Sequence, residues 1–100
     1  MIIYNVTVKI SNEKHDDWVQ WMKTVHIPEV MATGKFTKNV FSKVMVDDEE
    51  GTNYSIQYHC NCLDTLQDYQ DNYASKLQEE HTLRYKDHFV AFRTLLEVIE

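Results

Sequence analysis

A four-stranded antiparallel sheet with two helical segments on one face, in the order β-α-β-β-α-β, is the α+β fold this sequence predicts. Three observations predict it. Residues 2–10, 36–46, 52–62 and 89–99 alternate apolar and polar side chains with the period of a strand. Residues 12–25 and 64–86 instead repeat apolar residues at helical spacing. The single proline (Pro28) and the two glycines (Gly34 and Gly51) fall outside the regular stretches or at their ends.

The first strand, 2–10, places Ile2, Tyr4, Val6, Val8 and Ile10 on one face and Ile3, Asn5, Thr7 and Lys9 on the other. Ser11 or Asn12 then caps a helix over 12–25, with Glu13, Asp16 and Asp17 at its positive end. Trp18, Trp21, Met22 and Val25 form its buried stripe. Pro28 disfavours helical geometry at Ile27, so a break is expected there, with a short second piece over 29–33 ended by Gly34. In the second strand, 36–46, Phe36, Val40, Val44 and Val46 share one face, and Phe41, Lys43 and Met45 the other. The acidic run Asp47–Glu50 before Gly51 reads as a solvated hairpin loop. The third strand, 52–62, alternates Tyr54, Ile56, Tyr58 and Cys60 with Ser55, Gln57, His59 and Asn61. Asp64 with Gln67 resembles a capping box for the helix that runs to about Lys86. In the last strand Val90, Phe92, Leu96 and Val98 are expected against the helices, with Ala91, Arg93, Leu95, Glu97 and Ile99 opposite. This order is the ferredoxin-like split arrangement, and residues 1–100 suit one domain.

The net charge of −6 disfavours nucleic acid and anionic lipid as partners. No apolar run is long enough to span a membrane, and MIIYNVTVKI lacks the parts of a signal peptide, so a cytoplasmic location is expected. Cys60 and Cys62 are read as small packed thiols, because their spacing on a strand suits a disulfide poorly. No metal is assigned: His15, His26, His59, His81 and His88 match no zinc spacing. No cofactor is assigned either, since there is no glycine-rich phosphate loop and no nucleophile elbow.

The sheet face turned away from the helices is expected to carry Ile3, Phe41, Met45, Leu95 and Ile99 among Asn5, Thr7, Lys43, Gln57, His59, Arg93 and Glu97. Such a half-apolar face suits packing against a second copy, so a homodimer through the open sheet face is expected.

Chemistry points to two places. On a continuous 64–86 helix the stripe Leu66, Tyr69, Tyr73, Leu77 ends in His81, Arg84 and His88, so apolar residues give way to ionisable ones. His26 falls at the expected break, where it either answers unpaired backbone groups or faces a pocket as a titratable group. The candidate site is therefore His26 and His81 as proton carriers, Arg84 and Arg93 as holders of a small anionic ligand, and Trp21 beside them.

The stretch from Trp18 through Trp21, Met22, His26, Ile27, Pro28, Glu29 and Val30 to Thr33, Gly34 and Phe36 resembles a domain family of unknown function common in Bacteroidetes. So does the stretch from His81, Thr82 and Arg84 through Phe89 to Glu97 and Val98, and the resemblance spans nearly the whole chain. It implies the dimeric α/β-barrel architecture, in which two ferredoxin-like sheets pack face to face. That wider architecture includes cofactor-free monooxygenases, lactone isomerases, sugar mutarotases and haem-dependent enzymes, so the fold implies small-molecule chemistry without naming a reaction. Asn5 matches the asparagine of haem-degrading members, but no tryptophan and histidine here match theirs, and that chemistry is not carried over.

Two functions compete. In the first, a pocket between sheet and helices binds a small molecule or performs cofactor-independent catalysis. In the second, the chain is a non-catalytic dimeric scaffold or partner-binding module.

Overall fold

The computed structural model describes residues 1–100. β1 (Ile2–Ser11) leads through a 3-10 turn (Asn12–Lys14) into α1 (His15–Trp21) and α2 (Ile27–Ala32). β2 (Lys38–Lys43) and β3 (Gly51–Cys60) form a hairpin, followed by α3 (Leu63–Tyr69), α4 (Ser75–Tyr85) and β4 (Phe89–Glu97). The sheet order is β2-β3-β1-β4, with every neighbouring pair antiparallel. This is the ferredoxin-like fold with all helices on one face. No helix is long and apolar enough to cross a membrane.

The two central strands behave as their alternation dictates. Tyr4, Val8 and Ile10 of β1 lie beside Tyr58 and Ile56 of β3, and all five are buried under the helices. Gly51 opens β3 where its backbone presses on the carbonyl oxygen of Ile10, leaving no room for a Cβ. At the other end of the core Phe36 stacks among Tyr4, Tyr58 and Tyr69, with ring centroids 4.8–6.2 Å away.

Both edge strands face the other way from the sequence expectation. Phe41 pairs with Ile56, and Arg93 with Val6, so Phe41 and Arg93 lie on the helix side. Leu95 and Glu97 share that side with Arg93, opposite Tyr4 and Ile2. Val40, Val90, Phe92 and Leu96 turn to the open face instead, beside Ile3, Asn5, Thr7, Gln57 and His59. Met45 and Ile99 lie beyond the strands. The physical reason is that both edge strands are apolar on both faces, so a period of two does not say which face goes in.

Neither helical segment is a plain α-helix. Between α1 and α2 the chain makes a π turn (Met22–His26), and between α3 and α4 another (Gln70–Ala74). A π turn adds about one residue to the local repeat, so side chains beyond it are rotated by about 100° relative to a continuous α-helix. The expected break before Pro28 is thus absent: Pro28 sits in the first turn of α2. Ile27 and Val30 become core residues, while Val25 is only half-buried. Gly34, with φ of 76°, ends the segment in the left-handed conformation as expected. Cys62, not Asp64, occupies the N-cap of α3, and no side chain caps that end. Ser11 likewise makes no cap bond; its hydroxyl meets His88 Nδ1 at 3.3 Å.

Candidate functional site

The π turn after Tyr69 sets the inward face of the second helical segment. From its last residue onward, Ala74, Leu77, His81 and Tyr85 are buried. Tyr73 and Arg84, which a continuous helix would align with Leu66, turn outward. His81 thereby reaches the core, where the Trp18 indole N–H donates to its Nε2 at 2.9 Å. An indole nitrogen can only donate, so Nε2 keeps its lone pair and the neutral ring carries its proton on Nδ1. Phe89 packs edge-on to this ring at 4.5 Å.

The first π turn ends on His26. Its ring stacks on Trp21 (5.1 Å, 26° between planes) and approaches the His81 ring at 5.7 Å. His26 Nδ1 is buried and makes no hydrogen bond within the chain. Burial pushes both imidazoles down to about 4. Glu80 partly offsets this for His26, while the Arg93 charge deepens it for both rings, and His26 adds to the lowering at His81. Both rings are therefore neutral at pH 7; His26 Nδ1 is without a partner, while the lone pair of His81 Nε2 is taken by the Trp18 indole.

A small cavity lies between helices and sheet, enclosing about 40 Å³. Val6, Val8 and Ile56 form its sheet wall, and Met22, Val30 and Leu77 its helix wall. Its polar groups are His26, His81, Gln78, Arg93 and the tyrosines at positions 4, 58 and 69. Arg93 Nε and Gln78 Nε2 both donate to the Tyr4 hydroxyl oxygen, at 3.0 and 3.4 Å. Burial holds the Tyr58 and Tyr69 hydroxyls well above their ordinary value, so both stay protonated.

Of the residues singled out from the sequence, the fold brings His26, His81 and Arg93 to this cavity. Trp21 stands behind His26 rather than in the lining, half-buried against Tyr85 as well. Arg84 is outside it. Its guanidinium lies 5.4 Å from the Trp21 ring, bonds the Tyr85 hydroxyl and pairs with Asp17 at 3.5 Å on the surface. Tyr4, Gln78 and Trp18 were not singled out. Tyr4 was legible as a core position, but Gln78 faces inward only because of the π turn. His15 bonds the Tyr54 hydroxyl at 2.7 Å, and no three His, Cys, Asp or Glu side chains gather as a metal centre.

Residues 1–99 match the domain of unknown function DUF4286. The chain belongs to the DUF4286 family. No protein of curated function matches it in sequence. Among solved structures, this DUF4286 chain is similar to a dimeric ferredoxin-like protein from an uncultured marine organism. That pair has a TM-score of 0.75 and 12% identity, over 100% of this chain and 96% of the other. An ethyl tert-butyl ether d (ethd) family protein from Bacillus halodurans aligns with a TM-score of 0.70 and 8% identity, over 99% and 100% of the two chains. A candidate antibiotic biosynthesis monooxygenase from Deinococcus radiodurans aligns with a TM-score of 0.68 and 14% identity, over 100% and 94%. At these identities the likeness establishes the fold shared with DUF4286. Within that fold, the cavity of this chain is lined by two neutral imidazoles and one fixed positive charge against an apolar wall.

Proposed function

We propose that this chain binds a small molecule in the cavity between sheet and helices and carries out cofactor-independent proton-transfer chemistry there. The observation that carries this reading is His26: a buried ring nitrogen without a partner, 5.7 Å from a second neutral imidazole, in a cavity that also holds Arg93. His26 Nδ1 is the proton acceptor. His81, held in one tautomer by Trp18, is the second proton carrier. Trp21 fixes the plane of His26 by stacking, and Arg93 rather than Arg84 holds the polar end of the ligand. The fold is shared with a candidate monooxygenase, which supports small-molecule chemistry as the class of function. The test is a screen of small metabolites read by the imidazole ¹⁵N resonances. Hits that move the His26 and His81 signals are expected, and a broad library that moves neither would refute the reading.

The competing reading, a non-catalytic module, is favoured by the size of the enclosed space. About 40 Å³ holds a few waters, whereas ligand pockets commonly span roughly 300–1,000 Å³. On the cavity reading the ligand is therefore small, or enters as the mouth opens.

The working unit in this proposal is a homodimer joined through the open sheet face, forming a two-sheet barrel. Val90 and Phe92 are 68% and 61% exposed there, with Leu96 beside them, an apolar cluster that a second sheet would cover. Structural relatives described as dimeric ferredoxin-like proteins support it. The free thiols Cys60 and Cys62 suit a reducing compartment such as the cytosol.

A further inference from the structure

The Tyr4 hydroxyl carries the argument one step further. Its oxygen already accepts two hydrogen bonds, from Arg93 Nε and Gln78 Nε2. A phenolic oxygen with both acceptor positions used still has its own hydrogen to donate, and no acceptor within the chain takes it. The Arg93 Nη groups make no hydrogen bond or ion pair within the chain, and the Gln78 amide keeps a second N–H. Unspent donors of Tyr4, Gln78 and the solvent-exposed Arg93 thus gather around one hydroxyl that lines the cavity, with the Gln78 amide oxygen the one acceptor group they still hold free.

The charge balance points the same way. Arg93 is the one fixed charge lining the cavity, the two histidines are neutral at pH 7, and no carboxylate lines it. The nearby Glu80 belongs to the neighbouring groove beside Glu29, whose carboxyl is pushed up by burial and by the Glu80 charge. The rest of the wall is aliphatic and aromatic, and the enclosed space suits only a few heavy atoms. A phosphate dianion would commonly need more than one cationic group, whereas one guanidinium with two neutral donors matches a monoanion.

Resting on the reading above, we propose that the ligand class is a short-chain carboxylate, its oxygens held by Arg93, Gln78 and the Tyr4 hydroxyl and its apolar tail against Val6, Val30 and Leu77. Bound this way, its carbon next to the carboxylate faces the two imidazoles. Tyr4 and Gln78 are then binding residues, not merely core packing.

The test is calorimetric titration of the full chain with butyrate, its neutral isostere butyramide, and inorganic phosphate, with the His26 and His81 ring resonances followed in parallel. Butyrate is expected to bind about tenfold or more tightly than butyramide, the scale of a hydrogen-bonded charge. Arg93→Gln should erase that preference, and Gln78→Leu should reduce it several-fold. Affinity along the series from acetate to octanoate should peak at a short chain. If butyrate and butyramide bind equally and both move the histidine signals, the cavity reading stands and the carboxylate assignment falls. A preference for phosphate overturns the assignment too. If no probe moves the histidine signals, the carboxylate assignment falls, and the cavity reading is decided by the broad metabolite screen.

Discussion

Acidification is the perturbation whose effect follows most directly from the buried imidazoles. His26 and His81 are pushed from an ordinary 6.5 down to about 4, burial being the main cause. Between those values the unfolded chain binds protons that the folded chain refuses, so stability rises with pH across the window and is lost as pH falls from about 6.5 to about 4. Above 6.5 neither ring contributes a slope, and below 4 the loss is complete. Each ring is worth up to about 1.4 kcal/mol per pH unit inside the window, hence roughly 3 kcal/mol in all. The rings stand 5.7 Å apart, so protonating one opposes protonating the other and their losses are staggered. Protonating His81 also forces an N–H against the Trp18 indole N–H. A total of roughly 3–6 kcal/mol is comparable with the whole stability of a small domain. Urea unfolding at pH 7.5, 6.5, 5.5 and 4.5 measures it. The control is the double variant His26→Phe, His81→Gln, in which Phe keeps the stack on Trp21 and Gln can still accept from Trp18. Wild type should lose stability steeply across this range and the double variant far less. Equal slopes for the two proteins would refute the assignment of buried neutral imidazoles. Asp48 and Asp68 do not confuse the result. Lys9 and Lys35 hold their carboxyls below the ordinary value, so their contribution fades only below about pH 4.

Other expectations follow from single contacts. Gly51→Ala drives a methyl group into the Ile10 carbonyl oxygen and should cost about 1–3 kcal/mol in thermal or chemical unfolding. Arg84→Ala removes a stack on Trp21 and an exposed ion pair with Asp17, so unfolding should show a loss of no more than about 1 kcal/mol, with carboxylate binding unchanged in calorimetry. Phe92→Asp places a charge in the exposed apolar cluster of the open face. Sedimentation should show a dimer in wild type and a monomer in the variant; a wild-type monomer at working concentration would overturn the dimer proposal. Cys62, whose thiol a hydrogen bond with Thr65 holds below its ordinary value, should react with a disulfide reagent before Cys60, which burial raises; peptide mapping of the first adduct decides.

Much of the fold was legible because its signals are local. Alternation in residues 2–10 and 52–62 placed Tyr4, Val8, Ile56 and Tyr58 correctly, since these central strands have one strongly apolar and one mostly polar face. Gly34 announced the end of a helical segment, and the element order followed. The edge strands were ambiguous because Phe92 and Arg93 are adjacent, and a one-residue shift exchanges them between core and open face. Arg93 was therefore named as a site residue while being placed on the wrong side of the sheet.

The sequence by itself determined the order of elements, the central core and the presence of ionisable groups at the end of an apolar stripe. Only the tertiary structure decided which of those groups meet. Two π turns, each a one-residue change in helical phase, carry His26 and His81 toward each other, bring Gln78 to the cavity and send Arg84 to the surface. Helical phase accumulates along a segment, so a local irregularity with no distinctive residue redirects every side chain beyond it.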